Sequence, residues 1–140
     1  MVTPLQVARM MAAFANKGNL VTPYVVKAIG NRDISAEQRK IVRLPIKQKN
    51  IEIIQEGLRQ VVSDPAGTAS VLSGLPVSVA GKTGTAQVPR GQPHAWFTGY
   101  FPFDKPKFVI CVLLDQGGPG YVSCVLAKQI IEQMLQEGII

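Results

Sequence analysis

The chain has 140 residues, 46% of them apolar and 17% charged, with a formal net charge of +6. That is enough chain and enough apolar surface for one compact domain with a core, and it excludes a disordered tail. Two cysteines and a single histidine exclude the usual zinc spacings, no apolar run reaches the length of a membrane-crossing helix, and no signal peptide is visible.

Thr3 to Ala15 predicts a helix: Thr3 serves as N-cap, Pro4 fits the first helical position, and Gln6 completes a capping box. Leu5, Val7, Ala8, Met10, Met11 and Phe14 make it apolar nearly all round, which predicts deep burial, and Gly18 follows as a C-cap. Leu20 to Ile29 is β-branched but contains Pro23, so it is expected to be extended, at most a short edge strand. Asn31 to Pro45 lacks a period and is expected to be an exposed connection. Ile51, Ile54, Leu58, Val61 and Val62 recur at helical spacing, which predicts an amphipathic helix over Lys47 to Val62 that ends at Asp64-Pro65. Gly67-Thr68-Ala69 begins a short turn or helix before Gly74.

The apolar run Leu75 to Ala80 reads as a buried strand that leads into the first of three strands, placed at Val77 to Thr83, Ala95 to Phe101 and Lys107 to Leu114. Short connections make successive strands antiparallel. Phe108 to Leu114 is continuously apolar, as expected when both faces are covered. After the Gly117-Gly118-Pro119-Gly120 break, Tyr121 to Gln136 is a helix expected to pack on the sheet through Val122, Val125, Leu126, Ile130 and Met134. The result is an α+β fold: a three-stranded antiparallel sheet packed with helices.

The positive charge suggests an anionic neighbour such as nucleic acid, phospholipid or an acidic glycan. Six of the fifteen basic residues are Arg32, Arg39, Lys40, Arg43, Lys47 and Lys49, with Asp33 and Glu37 among them. No aromatic residue is interleaved there to stack on bases, so no nucleic-acid partner is expected. Cys111 in an apolar strand and Cys124 near a helix start are expected to be buried thiols rather than a disulfide.

The stretch that carries chemistry is Gly81-Lys82-Thr83-Gly84-Thr85-Ala86-Gln87. The glycines let another backbone lie close to the strand, Lys82 adds a positive charge, and Thr83 and Thr85 add hydroxyls able to hold an anionic oxygen. Together they suit a peptide that ends in a carboxylate and docks along a strand edge. A strand ending in a polar turn would also account for Lys-Thr-Gly alone. His94 is the lone histidine and a formal general-base candidate, but strand-entry packing suits it better. Trp96, Phe97 and Tyr100 could line a groove beside the motif, with Trp96 and Thr98 on one face and Phe97 and Gly99 on the other. Gln87 and Arg90 fit a solvated loop.

Lys-Thr-Gly is one of the motifs of penicillin-binding proteins and β-lactamases. Taken with Val2-Thr3-Pro4-Leu5-Gln6, Gly67-Thr68-Ala69 and His94-Ala95-Trp96-Phe97-Thr98-Gly99-Tyr100, in that order, it resembles the transpeptidase domain of class B penicillin-binding proteins. The His-Ala-Trp-Phe stretch looks more like the elongation type than the division type. The resemblance covers nearly the whole chain, more weakly over Asn31 to Lys49.

In that family the nucleophile and first lysine come from Ser-x-x-Lys, and a second motif, Ser-x-Asn, helps shuttle protons. Neither is present: three residues beyond Ser35, Ser63, Ser70, Ser73, Ser78 and Ser123 there is never lysine, and two residues beyond them there is never asparagine. The resemblance therefore implies that residues 1–140 are the C-terminal portion of a transpeptidase domain, lacking the upstream nucleophile segment and inactive alone. It implies that Lys82 joins the proton network around the serine, and that Lys82, Thr83, Gly84 and Thr85 bind the carboxylate end of a peptidoglycan stem peptide or a β-lactam. The Thr85 N–H would be one oxyanion donor. No metal or organic cofactor is implied. The parent would sit at the bacterial inner membrane with this part on the periplasmic, extracytoplasmic face, and elongation proteins are partners to expect; the chain itself is expected to be soluble. The residues leave open a non-catalytic module that holds a peptide carboxylate, or a basic surface-binding module. In the family an upstream strand pairs with the strand matching Phe108 to Leu114; without it, that edge is expected to drive self-association.

Overall fold

The computed structural model of the protein describes residues 2–140. Helix α1, Pro4–Ala15, opens with the expected capping box: the Thr3 hydroxyl accepts from the Gln6 N–H, and the Gln6 side-chain oxygen accepts from the Thr3 N–H. It closes at Gly18, whose φ of +90° is a left-handed value that glycine alone adopts without strain. A small lobe follows. Strands β1 (Asn19–Val21) and β4 (Ile41–Arg43) pair antiparallel, and so do β2 (Ala28–Ile29) and β3 (Arg32–Asp33), with a single turn of helix, α2 (Ser35–Gln38), between the pairs. The segment read as an unstructured connection thus contains short ladders. They escaped the sequence pattern because β2, β3 and β4 are exposed, so no apolar alternation marks them. Arg9 ties the lobe to α1 by donating to the Val21 carbonyl at 2.7 Å.

Helix α3, Gln48–Ser63, buries Ile51, Leu58 and Val62, while Ile54 stays exposed. Asp64 is extended, as a residue before proline must be, and stops the helix. The next segment corrects the sequence reading. Leu75 to Val79 is not a strand. Ser70–Leu72 forms a turn of 3-10 helix, turns continue to Pro76, and the strand begins only at Ala80. Pro76 has no N–H for a ladder. Leu72, Leu75 and Val79 enter the core singly from turns, which gives an apolar run without a strand.

The main sheet has the order β5-β6-β7, with β5 Ala80–Ala86, β6 His94–Phe101 and β7 Phe108–Leu114, all antiparallel. Register places Lys82 opposite Thr98, Gly84 opposite Trp96, and Thr98 opposite Cys111. Helix α1 lies against β6 and β7 on one face, and α4 (Tyr121–Gln136) against all three strands on the other. Two clusters result. Phe97, Phe101 and Val112 pack with Cys124, Ala127 and Ile131 on the α4 side, whereas Tyr100 and Ala80 pack with Met11, Ala15 and Leu58 on the α1 side. Full burial of each large apolar side chain contributes about 1.5–3 kcal/mol.

Three burial expectations change. Helix α1 is not deeply buried all round: Met11, Ala13 and Ala15 face inward, but Leu5 and Met10 are exposed, because no described element covers its outer side. Helix α4 does not pack through Val125, Leu126 and Ile130, which are exposed; its inward stripe is Ser123, Cys124, Ala127 and Ile131. Small residues win this face because they let the helix axis approach the sheet. β7 does have a helix on each face, yet only Val112 is buried. The rest are half-exposed, Cys111 included, because among the described residues β7 has one strand neighbour and an open edge.

Candidate active site

The Lys-Thr-Gly segment occupies the middle of β5, an edge strand that runs past the expected end at Thr83 to Ala86. Strand alternation puts Lys82, Gly84 and Ala86 on the face of Thr98 and Trp96, and Thr83 and Thr85 on the face of Phe97 and Ala95. The two sets are held differently. Lys82 is exposed, and its Nζ donates to the Thr83 carbonyl at 3.0 Å. The Thr83 hydroxyl lies 2.7 Å from the Thr68 hydroxyl, and the Thr85 hydroxyl accepts from the Gly120 N–H at 3.0 Å.

A count of protons shows what these hydroxyls can still do. The Thr68–Thr83 pair has two hydroxyl protons and uses one in the mutual bond. Thr85 acts as acceptor toward Gly120 and keeps its own proton. The strand therefore offers an ammonium from one face and two free O–H donors from the other, each able to meet an anionic oxygen at the strand edge. No acceptor-rich group faces them: among the described residues Lys82 makes no ion pair.

Glycines fix the spacing. A Cβ on Gly120 would sit 2.6 Å from the Gly84 carbonyl oxygen, so the start of α4 can touch β5 only as glycine. A Cβ on Gly81 would lie 2.6 Å from the Thr98 carbonyl oxygen and 2.7 Å from the Phe97 ring. Gly84 itself has more room, with Trp96 Cβ at 3.3 Å.

Beside the motif lies a cleft of about 430 Å³ between α1 and β5, walled by Met10, Met11, Phe14, Leu58 and Trp96 and floored by Lys82 to Ala86. Its volume suits a small ligand or a docked side-chain cluster. Trp96 is thus brought to the motif, as one reading had it, whereas Phe97 and Tyr100 are fully buried core residues. Gln87 and Arg90 are exposed, and among the described residues neither side chain hydrogen-bonds to the motif. His94 opens β6. Its Nδ1 lies 3.1 Å from the Gln116 backbone nitrogen and 2.8 Å from Asp115 Oδ1, so it can accept from that N–H or donate to the carboxylate, one at a time. That ring locks the β6–β7 end of the sheet and faces no nucleophile. Cys124 is fully buried, and burial pushes its thiol up to about 11. It is a packing group, not a reactive thiolate. No group of three or more potential metal ligands occurs among the described residues.

Sequence reasoning singled out Gly67-Thr68-Ala69 without a role for it, and the structure supplies one: Ala69 is fully buried and anchors the turn that presents the Thr68 hydroxyl to Thr83. The Gly120–Thr85 contact was missed. Thirty-five positions separate the two residues, and the only signal was the glycine before α4.

The family described as "Penicillin binding protein transpeptidase domain" matches residues 1–136. The chain belongs to the penicillin-binding protein transpeptidase family. Among curated relatives of this transpeptidase chain, the peptidoglycan D,D-transpeptidase MrdA of Haemophilus influenzae is 30% identical over 96% of the chain and 24% of its own length. Penicillin-binding protein PBP2 of Pseudomonas aeruginosa, solved in complex with WCK 5153, shares the fold at a TM-score of 0.82 with 32% identity, over 94% of this chain and 29% of that one. PBP2 of Helicobacter pylori, solved in complex with MreC, gives a TM-score of 0.78 with 30% identity, over 99% and 25% of the two chains. The elongation-type resemblance and the α+β transpeptidase fold are both borne out. The chain spans only about a quarter to a third of the length of the relatives it matches.

Proposed function

We propose that residues 1–140 are the C-terminal portion of a peptidoglycan D,D-transpeptidase domain and supply its substrate-carboxylate wall. The observation that carries this reading is the donor set on β5. The Lys82 ammonium, the spare proton of the Thr68–Thr83 pair and the Thr85 hydroxyl border one edge strand beside an apolar cleft. A stem peptide ending in D-Ala–D-Ala, or a β-lactam that mimics it, is an extended anionic ligand of the kind such an edge recognises. Gly84 keeps the strand slim where that ligand would pass.

In the whole enzyme a serine from a Ser-x-x-Lys segment would attack the carbonyl carbon between the two D-alanines. Terminal D-alanine would leave, and the acyl group would pass from the serine to an amine of a second stem peptide. Lys82 would lower the cost of proton movement at the serine, and the Thr85 N–H would donate to the developing oxyanion. The serine motif is not within these 140 residues, so the chain by itself would not acylate. The site belongs on the extracytoplasmic face of the bacterial inner membrane, where peptidoglycan is built. No described helix is long and apolar enough to cross a membrane. The MreC complex of the Helicobacter pylori relative favours an elongation protein as a partner of the parent.

The test is a chimera in which this chain replaces the matching portion of Pseudomonas aeruginosa PBP2. Labelling by a fluorescent penicillin in the chimera, lost when Thr83 and Thr85 are both replaced by valine in a protein that still folds, is the expected result. A folded chimera that labels equally well without those hydroxyls overturns the carboxylate-wall reading.

A second reading, a surface that binds polyanions, is favoured by one feature. Residues 17–49 hold eight basic and two acidic residues, a net charge equal to the +6 of the whole chain. The same lobe exposes Val25, Ile29, Ile41 and Val42. Salt-sensitive co-sedimentation with vesicles containing phosphatidylglycerol would support it, and no binding at low salt would remove it.

A further inference from the structure

We infer that His94 is a positioning residue for the Thr85 hydroxyl, a role that rests on the carboxylate wall proposed for β5. His94 holds the turn between β7 and α4 against the sheet, and that turn delivers the Gly120 N–H to Thr85. The turn, residues 115–120, is tied down at three points. At the first, the Gln116 N–H lies 3.1 Å from His94 Nδ1, and Asp115 brings a carboxylate oxygen to the same nitrogen at 2.8 Å. At the second, the Gly118 N–H donates to the Pro93 carbonyl at 2.9 Å. At the third, the Gly120 N–H donates to Thr85 Oγ1 at 3.0 Å. Gln116 has a φ of +48°, a left-handed value that a glutamine keeps only where its surroundings hold it there. Those surroundings are the start of β6 and the loop before it, since a Cβ on Gly91 would collide with the Gln116 side-chain oxygen.

Register links this anchor to the motif. His94 is paired with Ala86, and Ala95 with Thr85, so the two ends of the turn grip neighbouring pairs of one ladder. Between them Gly117 lies over Ala95: a Cβ there would be 3.3 Å from Ala95 Cβ. The turn is therefore a short brace with one end on His94 and the other on Thr85. The Gly120 N–H occupies one acceptor direction of Thr85 Oγ1, so the hydroxyl proton must point elsewhere. Without that N–H the hydroxyl rotates freely and can turn its proton toward a neighbouring carbonyl instead of a ligand. The imidazole can serve the brace by accepting from Gln116 or by donating to Asp115, and either bond holds the same end of the turn. Loss of the ring leaves the left-handed Gln116 backbone without its anchor, and the turn can relax away from Thr85. A histidine that merely packed at the strand entry would affect every ligand alike, whereas a brace on Thr85 matters for a ligand that carries a carboxylate.

The experiment uses the chimera with Pseudomonas aeruginosa PBP2 and compares acylation by a penicillin with acylation by its methyl ester, which has no carboxylate for Thr85 to meet. His94→Leu should lower the acid-to-ester ratio of acylation rates roughly tenfold, the effect of a misdirected hydrogen bond to a charged group. His94→Asn, whose side-chain oxygen takes the place of Nδ1, should restore most of that ratio. In a Thr85→Val background His94→Leu should lower the ratio no further, because the group it acts through is gone. Thermal melts show which variants fold. If His94→Leu does not, His94→Gln, with its oxygen one bond further out, takes its place with the same expectation. Equal slowing of acid and ester by the variant at position 94 overturns the inference. So does a full further loss in the Thr85→Val background, or a His94→Asn chimera as impaired as His94→Leu. A Thr85→Val chimera with an unchanged ratio removes the carboxylate wall and this role for His94 together. A ratio that falls with Thr85→Val but not with His94→Leu removes the role of His94 alone.

Discussion

The hydroxyls of Thr68 and Thr83 lie 2.7 Å apart, joining the turn after α3 to the edge strand of the sheet. The bond sets the rotamer of Thr83, and through it the direction of the one hydroxyl proton the pair has left. Thr68→Val should therefore matter more for ligand than for fold. The bond is solvent-exposed, so its loss should cost only about 0.5–1 kcal/mol of stability. A double-mutant cycle with Thr83→Val, read by urea denaturation, should return a coupling of about that size. A cycle that sums to zero would mean the two hydroxyls are neighbours without being partners.

Gly120 and Gly84 meet backbone to backbone, and only one of them is short of space. A methyl on Gly120 would press on the Gly84 carbonyl oxygen at 2.6 Å, which is backbone and cannot swing aside. A methyl on Gly84 would meet Trp96 Cβ at 3.3 Å, a contact that a small shift relieves. Neither glycine has a positive φ, so the difference is purely one of packing. Gly120→Ala should destabilise by about 1–3 kcal/mol and Gly84→Ala by clearly less. Thermal melts of the two variants check the order, and the reverse order would show that α4 sits further from β5.

What could be read from sequence was what periodicity and capping encode. Thr3, Pro4 and Gln6 announced α1, Asp64-Pro65 announced the end of α3, and the β6 and β7 strands fell where β-branched and aromatic residues cluster. The motif at Lys82 to Thr85 stood out only in company with Thr3-Pro4-Leu5-Gln6, Gly67-Thr68-Ala69 and His94-Ala95-Trp96-Phe97, since a polar turn would account for Lys-Thr-Gly alone. Other features needed three dimensions. Leu75 to Val79 is as apolar as a strand, but its side chains reach the core from turns. Helix α4 turns Ser123, Cys124 and Ala127 inward with Ile131 and leaves Val125, Leu126 and Ile130 exposed, because the distance to the sheet and not hydropathy alone selects the inward face. Thr68 and Gly120 carry no local signal, since their roles come from residues fifteen and thirty-five positions away.

Tyr100 is fully buried between α1 and the sheet, and its hydroxyl has no hydrogen-bond partner among the described residues. Burial, aided by the nearby Glu56 carboxylate, pushes its phenol up to about 12 from an ordinary 10.0. The folded state thus holds this proton more tightly than the unfolded chain does. That contribution is complete below about pH 10 and is lost as the pH rises toward about 12. Tyr100→Phe removes both the unsatisfied hydroxyl and the titration. At pH 7 the variant should be at least as stable as wild type, since an unpaired buried hydroxyl costs about 1–3 kcal/mol. Between pH 10 and 12 it should lose less stability than wild type. Urea melts at pH 7, 10 and 11.5 test both halves, and a variant that is less stable at pH 7 would show that the hydroxyl has a partner after all.

Lys82 separates function from fold most sharply. Its ammonium is exposed and its one hydrogen bond among the described residues goes to the carbonyl of the adjacent residue, so nothing in the described core depends on it. In the 140-residue chain Lys82→Ala should change stability by no more than about 0.5 kcal/mol, the usual range for an exposed site. The chain should also form no covalent adduct with a penicillin, because no serine here carries the lysine partner that would activate it. Intact-mass spectrometry checks that, and a stoichiometric serine-linked adduct would place a nucleophile inside these residues. In the chimera with Pseudomonas aeruginosa PBP2 the same Lys82→Ala change should slow acylation by roughly 10²–10³, the loss typical of one electrostatic contact in such a site. A variant that melts early in the isolated chain, or one that acylates at full rate in the chimera, would make Lys82 a structural residue and move the anionic wall elsewhere on β5.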